Sequence, residues 1–296
     1  MIQAIRKAFS SPLFLMVLAA ITGASTPVAA KYALEAFQPF TIVALRFFFA
    51  SLFLLPLILR SKELSLDKFK KLFFVSVIGS INPILLFIAL QFTQASFSPL
   101  IYAGVPAMTA AYMILVQKHQ INSRKLMGIA LGFLGVGTIV VLPLLENADN
   151  ISAFGNTIIF LASIAFLSYG LLSKKKQKEL NVSPLALTFY FSLVSLLLSL
   201  PFMGYELLSL GFSAQISIVH ILSTVYIGLV GTGVFYLAYQ YALKHGSAVN
   251  ASLFTYLQPI FGISLAALIL GEKITLPFVI GGAVAIIGAQ LASSKK

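Results

Sequence analysis

The sequence predicts an all-α, multi-pass membrane protein whose ten transmembrane helices form two inverted repeats of five helices each. Three observations predict this fold class: an apolar composition, an internal repeat, and a one-sided distribution of Lys and Arg. Of the 296 residues, 59% are hydrophobic and 9% are charged, with a mean hydropathy of +0.99. A soluble domain carries roughly a quarter charged residues. The composition therefore indicates that lipid is the solvent and that apolar runs of about 20 residues are helices.

The internal repeat relates residues 89–135 to residues 242–288, at a constant offset of 153 positions without a gap. Identical pairs include Ala89 and Ala242, Leu90 and Leu243, Ala95 and Ala248, Leu100 and Leu253, Pro106 and Pro259, Gly128 and Gly281, and Gly135 and Gly288. One plan used twice predicts two domains of the same kind, residues 1–145 and residues 146–296.

Span 1 is the apolar run that follows Arg6 and Lys7 and ends at Ala30. A cleaved signal peptide is the alternative for this run, but the two halves match only if it is kept as a helix. Residues 72–117 contain no Asp, Glu, Lys or Arg, and this length suits two spans with a turn at 93–98. The other spans are predicted at 39–59 (span 2), 126–145 (span 5), within 150–173 (span 6), within 184–203 (span 7), ending near 241 (span 8), at 247–270 (span 9) and at 277–292 (span 10).

The Lys and Arg residues predict the orientation. With the N-terminus in the cytoplasm, seventeen of the 20 fall on the cytoplasmic side, as Lys and Arg in short loops generally do. Lys31 and Lys273 fall outside, and Arg46 lies within span 2. The net charge of +12 therefore reports topology, with both termini cytoplasmic, and excludes nucleic acid as the expected partner; contact with anionic lipid headgroups is compatible. The cytoplasmic cations are Arg6, Lys7, Arg60, Lys62, Lys68, Lys70, Lys71, Lys118, Arg124, Lys125, Lys174, Lys175, Lys176, Lys178, Lys244, Lys295 and Lys296.

The offset between the repeats covers five spans, and an odd number of spans reverses direction. The turn near Gln94 therefore faces outward, whereas its counterpart near Ser247 faces inward. Inverted repeats are typical of secondary transporters that alternate between inward-open and outward-open shapes. A channel is the less favoured alternative, because neither a ring of charges nor a carbonyl filter is recognisable.

The chain resembles a ten-helix member of the EamA type of the drug/metabolite transporter superfamily along nearly its whole length. The resemblance rests on the Ala-Leu and Ala-Ser pairs before Pro106, the glycines of span 5, Ala248, Gln258-Pro259, Gly271-Glu272, the glycines of span 10, and Arg46-Phe47 with Lys31. It implies the drug/metabolite transporter fold and the export or import of amino acids, nucleotide sugars or other small metabolites through one central cavity. One departure is Thr22, which stands where such proteins often carry Trp.

Polar side chains inside a bilayer are costly and usually face a cavity or another helix. In the fold that the resemblance implies, spans 3, 4, 8 and 9, with spans 1 and 6, surround the cavity. Asn, Gln and Tyr groups would suit a small zwitterionic or uncharged amphipathic metabolite, although the same groups also join packed helices. The candidate substrate-binding residues are Asn82, Tyr102, Tyr112, Tyr169, Tyr236, Tyr239, Asn250, Tyr256 and Gln258.

Arg46 and two prolines are further candidates. Arg46 could attract a carboxylate or phosphate, snorkel outward, or bind carbonyl groups and Glu35; the structural role is favoured, because span 2 is expected to be peripheral. Pro106 and Pro259 occupy the same place in both repeats, where they free backbone carbonyls and serve as hinges or as packing kinks.

The missing residues also bear on function. No Asp or Glu lies deep within a span, and Glu35, Glu206 and Glu272 are near span ends, so exchange of lipophilic cations for protons is not expected. A membrane-embedded, lipid-modifying enzyme is the competing class, but His119, His220 and His245 are scattered and have no acidic partner at a useful spacing in the sequence. We expect no enzymatic activity, cofactor or metal, and we expect a small-molecule substrate and the lipid bilayer as partners. We expect the protein in the bacterial cytoplasmic (inner) membrane. We also expect the glycines of spans 5 and 10 to join these two helices within a monomer, with a homodimer as the alternative.

Overall fold

The computed structural model describes residues 12–116, 118, 123–147, 150–210, 215–245 and 253–293, and the regular secondary structure within these ranges is helical throughout. Arg6, Lys7, His119, Ser247, Asn250, Lys295 and Lys296 lie outside the described residues. The helices are α1 (Pro12–Leu34), α2 (Pro39–Ser61), α3 (Leu66–Ala89), α4 (Phe97–Leu115), α5 (Ser123–Asn147), α6 (Asn150–Leu180), α7 (Pro184–Leu210), α8 (Ile218–His245), α9 (Gln258–Leu270, after a 3-10 turn at Leu253–Tyr256) and α10 (Leu276–Ser293).

The outer surface of the helices is apolar. Among the described residues, α1 to α4 and α6 to α8 are each long and apolar enough to cross a membrane, and shorter apolar stretches lie in α5, α9 and α10. Phe74, Leu134 and Leu268 are 66%, 65% and 83% exposed. A surface of this kind would aggregate in water but is favourable against lipid. The protein is therefore an integral, multi-pass membrane protein.

Two helices extend beyond their predicted spans. The predicted span 6 stops at residue 173, but α6 continues through the following lysines to Leu180. Lys175 and Lys176 lie 3.7 Å and 3.0 Å from the carboxylate of Glu179 at helical spacing, which supports the extra turns. The predicted span 7 stops at residue 203, whereas α7 reaches Leu210.

α4 and α9 are interrupted at equivalent places. In α4 the helix Phe97–Tyr102 is followed by a turn, and a second helix begins at Val105. In the other half the 3-10 turn Leu253–Tyr256 precedes the helix that begins at Gln258. Val105 and Gln258 are 153 positions apart, and so are Lys118 and Gly271, which both adopt the left-handed conformation with φ of 54° and 66°. The backbone thus repeats at the same offset as the sequence.

α8 contains a π-helical turn at Leu229–Val234. The hydroxyl of Thr232 donates to the carbonyl of Ile227 at 2.8 Å, and the irregular ladder leaves carbonyl groups available to neighbouring helices. Gly228 lets α2 approach closely, because a Cβ atom there would lie 2.6 Å from the Cβ atom of Phe49. Turns of this type are rare and often occur at functional sites.

The helix pairs follow one scheme in both halves. α2 packs on α7 and α5 packs on α10; α3 contacts α6 and α7, just as α8 contacts α1 and α2. Gly135 faces Ala285, and a Cβ atom at Gly288 would lie 2.7 Å from the Cα atom of Gly132. Since lipid supplies little hydrophobic attraction between helices, such close backbone contact is what holds α5 and α10 together.

Candidate functional site

A cavity of about 50 Å³ lies in the middle of the helices, and both halves of the chain contribute to it. It is mainly apolar, with a small number of polar groups directed into it, as ligand sites commonly are. The lining residues are Gly23, Thr26 and Pro27 of α1, Arg46 of α2, Asn82 and Leu86 of α3, Ser98, Pro99 and Tyr102 of α4, Phe166 of α6, Gly231, Phe235 and Tyr236 of α8, Phe254 of the 3-10 turn, and Gln258 of α9.

Asn82 connects the two halves at the wall of this cavity. Its side-chain amide donates to the hydroxyl of Tyr102 and, at 2.8 Å, to the carbonyl of Ala162. The hydroxyl of Tyr236 donates to the Oδ1 atom of Asn82 at 3.2 Å. Asn82, Tyr102 and Tyr236 are all less than 9% exposed. Because buried polar groups are costly when unpaired, this network holds the three side chains in defined positions.

Arg46 is 3% exposed and also lines the cavity. Its Nε atom donates to the hydroxyl of Thr232 at 2.8 Å, and one Nη atom donates to the carbonyl of Gly231 at 3.3 Å. The guanidinium carbon lies 5.0 Å and 5.3 Å from the ring centroids of Phe87 and Phe47. The side chain therefore does not snorkel outward. Glu35, a partner considered for it, contacts His220 at 3.3 Å instead.

The other predicted site residues have different surroundings. Gln258 lines the central cavity, and Tyr112 lines a second cavity described below. Tyr169 packs on Phe191 with ring centroids 4.7 Å apart. Tyr239 stacks on Phe166, and Tyr256 packs beside Ala107 and Ala110; Asn250 lies outside the described residues.

Several lining residues carry little signal in the sequence. Gly23 and Thr26 belong to a helix-weakening stretch of α1, and Gly231 belongs to the glycine-rich π-helical turn of α8. A glycine cluster inside an apolar run is the only feature that could have indicated them. Phe166 and Phe235 are indistinguishable in sequence from lipid-facing phenylalanines, because position along an apolar helix does not reveal which neighbours are near.

Pro106 and Pro259 both lie in the first turn of a helix, after the interruptions of α4 and α9. At this position the missing N–H of proline has no intrahelical partner in any case. The break in the chain, and not a kink within a continuous helix, is therefore the local feature that these prolines stabilise. Their role as hinges remains a prediction.

We expect Pro106→Ala and Pro259→Ala to change the rate of transport more than the affinity for solute. Alanine fits the first turn but leaves the preceding residues free to become helical, which alters the flexibility of the break. Initial rates and half-saturation concentrations in proteoliposomes measure the two effects separately. Normal turnover in both variants would contradict the hinge hypothesis.

At one end of the helices, hydrogen bonds join a loop of the first half to a loop of the second half. The carboxylate of Glu272 accepts hydrogen bonds from the backbone N–H groups of Ala95 and Ser96 at 2.7 Å and 2.9 Å. The ammonium of Lys31 donates to the carbonyl of Leu90 at 2.6 Å. Beneath this contact, Val28, Ala95 and Ala266 form a small buried cluster. We call the pairing of Glu272 with the 95–96 backbone the clasp.

A larger cavity lies toward the opposite end of the helices. A second cavity of about 650 Å³, the vestibule, lies where α4, α6 and α8 end. It is lined by Tyr112, Met113, Leu171, Leu172, Lys174, Lys175, Gln177, Lys178, Leu243 and Lys244. The Lys174 ammonium donates to the carbonyl of Leu243 at 2.8 Å. The described side chains that line the vestibule include four lysines and no Asp or Glu.

An aromatic partition of Phe166, Tyr239 and Phe254 separates the cavity from the vestibule. Phe166 stacks on Tyr239 with ring centroids 4.8 Å apart, and Tyr239 meets Phe254 edge-on at 5.6 Å. Phe166 and Phe254 line the cavity, whereas Leu243, one helical turn after Tyr239, lines the vestibule.

Two proteins with similar sequences are transporters by name. It is 24% identical to an uncharacterized transporter of Archaeoglobus fulgidus, over 95% of this chain and 97% of that protein. It is 25% identical to the uncharacterized transporter YyaM of Bacillus subtilis, over 95% of this chain and 92% of that protein. A crystal structure titled only as that of a protein superposes with a TM-score of 0.69 at 16% identity, covering 96% of this chain and 97% of that one; this likeness shows the fold alone.

The model of the EamA-like transporter family matches the chain twice, at residues 10–141 and 153–294. Together the two matches cover nearly the whole sequence. They agree with the helical membrane fold and with the transporter names of the relatives. This chain belongs to the EamA-like transporter family, and it is a membrane transporter.

Proposed function

We propose that this transporter is a secondary carrier that moves small organic metabolites across the bacterial cytoplasmic membrane by alternating access, with export as the favoured direction. The observation that carries the proposal is the position of the cavity, which both halves line and which lies between the clasp at one end of the helices and the vestibule at the other. A carrier needs a site that is open to one side of the membrane at a time. The cavity of about 50 Å³ is smaller than the roughly 300 Å³ or more of typical ligand pockets, so solute entry requires the partition to move.

The same proposal includes ten membrane spans in two inverted five-helix repeats, residues 1–145 and 146–296. Three observations support it: the family model matches once in each half, the helix interruptions recur at the sequence offset, and helix contacts follow one scheme. The contact of Gly135 with Ala285 uses the glycine faces of α5 and α10 within one chain, which favours a monomer over a homodimer. The lysines of the vestibule favour a cytoplasmic location for this end, with both termini cytoplasmic.

Labelling of introduced cysteines tests the inverted topology, because the natural chain contains no cysteine. In intact cells, a membrane-impermeant maleimide should label Gln94→Cys, whereas Ser247→Cys should react only after the membrane is permeabilised. Both positions are expected in turns that the repeat relates to each other. Labelling of both from the same side would exclude the inverted arrangement.

Flux in proteoliposomes tests the carrier mechanism against the competing classes. Saturable uptake of labelled metabolites that an unlabelled competitor suppresses is expected of a carrier. Unsaturable flux would indicate a channel, and formation of a product would indicate an enzyme. A thermal-shift screen against a metabolite panel selects the solutes to label.

We expect Glu272→Gln to open the clasp. An amide offers one acceptor oxygen and no charge, so the two backbone N–H groups lose a charge-assisted interaction. Labelling of Ser98→Cys, a cavity position, by an impermeant maleimide from outside should then rise by about fivefold or more. Glu179→Gln, near the far end of α6, is the matched control and should leave labelling unchanged. Equal labelling with and without the Glu272→Gln substitution would show that the clasp does not hold this end closed.

A further inference from the structure

The position of Arg46 bears on the charge of the solute. This side chain lies in the membrane interior, is 3% exposed and borders the central cavity. Its two hydrogen-bond acceptors, a hydroxyl and a carbonyl, are neutral, and so are the two rings beside it. No ion pair joins it to any carboxylate of the described side chains. Arg46 thus carries a positive charge that the surrounding protein does not neutralise.

Such a charge is costly to bury. Removing a guanidinium from water is compensated only when a counter-charge and hydrogen bonds replace the water. The Nε atom and one Nη atom of Arg46 are used by Thr232 and Gly231. The second Nη atom makes none of the described hydrogen bonds, and the side chain lines the cavity. Guanidinium groups bind carboxylates with both charge and planar geometry, so an anionic group in the cavity would supply the missing counter-charge.

A purely structural role accounts for less of this arrangement. Arg46 does join α2 to the π-helical turn of α8, but a neutral donor would make the same two hydrogen bonds without a buried charge. The cation–π contacts with Phe47 and Phe87 lower the cost of the charge but leave the net charge in place.

The other residues that line the cavity restrict the polarity and the net charge of the solute. Leu86, Phe166, Phe235 and Phe254 form an apolar wall, and the hydroxyls of Tyr102 and Tyr236 lie on the same cavity as Arg46. The described lining holds one cation and no acidic side chain. One cation matches one negative charge, and the absence of an acidic group leaves an ammonium on the solute without an ionic partner. The lining therefore suits a small monoanion with an apolar body better than a zwitterion or a polyanion.

The vestibule favours anions independently. The ammonium of Lys175 forms an ion pair with the carboxylate of Glu179 at 3.7 Å, whereas Lys178 and Lys244 make no ion pair with the described residues. A concave surface with one sign of charge raises the local concentration of oppositely charged solutes. The vestibule leads toward the partition and the cavity, so an anion attracted there would approach Arg46 from the cytoplasmic end.

We propose that the solute carries a single carboxylate on a small apolar body and that Arg46 binds this carboxylate in the central cavity. This proposal rests on the proposed carrier function and names its substrate class. This substrate class differs from the zwitterionic or uncharged solute that the polar residues of the sequence suit, and it makes Arg46 a binding residue in addition to a link between α2 and α8.

Charge-matched pairs of solutes test the proposal on the wild-type protein. The probes are acetate, lactate, pyruvate and isovalerate, each beside its primary amide, with the protein in phosphatidylcholine nanodiscs that lack anionic lipid. A small-molecule extract of cytosol, separated by ion exchange into anionic and non-anionic fractions, covers solutes outside the panel. Thermal stabilisation by carboxylates or by the anionic fraction alone supports the proposal, whereas stabilisation by amides or by the non-anionic fraction overturns it. Absence of stabilisation by any probe counts against the proposal as well.

Adding phosphatidylglycerol distinguishes lipid headgroups from solutes, since headgroup binding at the vestibule would stabilise the protein without any probe.

Variants then assign the preference to Arg46. Loss of one partner of a buried charge pair should weaken carboxylate binding by about 30-fold in Arg46→Gln. Arg46→Lys keeps the charge and should retain part of the affinity. Arg60→Gln, on the exposed cytoplasmic end of α2, is the control and should bind like the wild type. If Arg46→Gln does not fold, the carboxylate and amide pairs measured on the wild-type protein, together with the affinity of Arg46→Lys, still test the proposal. If a neutral solute shows saturable flux that Arg46→Lys leaves unchanged, the carboxylate proposal is wrong but the carrier function stands. If no probe shows saturable flux, both the carboxylate proposal and the carrier function are wrong.

Discussion

Gly288→Val is expected to lower the yield and the stability of folded protein sharply. A Cβ atom at position 288 would lie 2.6 Å from the carbonyl carbon of Leu131 and 2.7 Å from the Cα atom of Gly132. Backbone atoms cannot rotate away as a side chain can, so α10 and α5 would have to separate. Overpacking usually costs about 1–3 kcal/mol, and we expect a loss at the upper end of this range or above it. The fraction of monodisperse protein after mild detergent extraction, and its melting temperature, measure the effect.

Gly137→Val is the matched control for this prediction. Gly137 is also on α5, but it is exposed and a Cβ atom there would have nothing within 4 Å. Valine at position 137 should therefore leave extraction and melting temperature close to wild type. If the two variants behave alike, helix propensity rather than the contact of α5 with α10 determines the outcome.

Gly23→Val is expected to stop transport while the protein remains folded. A Cβ atom at position 23 would press against the side-chain amide of Gln258 and would lie 2.9 Å from the Phe235 ring. The amide is at the flexible end of its side chain and can move aside, so the cost in stability is small. The added methyl groups then occupy a cavity of only about 50 Å³, and we expect flux to fall by about tenfold or more because solute and valine compete for the same space.

Gly204→Val controls for the substitution itself, because a Cβ atom at Gly204 on α7 would have nothing within 4 Å. Initial flux is normalised to the amount of folded protein in each proteoliposome preparation. Wild-type flux through Gly23→Val would show that solute does not pass the place where Gly23 and Gln258 meet. Loss of folded protein in Gly23→Val, with Gly204→Val intact, would assign Gly23 to packing instead.

The burial of polar side chains could be anticipated from sequence, but their neighbours could not. Asn82, Tyr102, Tyr236 and Gln258 are polar groups in apolar runs, and these four do line the cavity. Tyr169 and Tyr239 have the same sequence character, yet neither is among the residues that line it. Tyr169 packs on Phe191, and Tyr239 stacks on the cavity residue Phe166. Helix rotation decides between the two outcomes, and in an apolar helix with lipid on one side and protein on the other, the sequence pattern specifies rotation only weakly.

Arg46 illustrates the same limit. Its depth within span 2 can be counted from the sequence, but the groups that its side chain contacts cannot. Its contacts with Thr232 and Gly231 depend on a π-helical turn in another helix, and no local pattern around residue 46 predicts a turn 185 positions away.

The amino-acid sequence alone determined that lipid surrounds this protein, that its backbone is helical, and that its halves share one plan, because hydropathy and repetition are properties of the chain itself. Only the tertiary structure decided which polar groups share a cavity, that Glu272 pairs with the backbone of Ala95 and Ser96, and that Arg46 faces the cavity without a carboxylate partner among the described side chains. These features depend on how helices rotate and approach one another, and close packing of small residues such as Gly132 and Gly288 from distant parts of the chain sets that geometry.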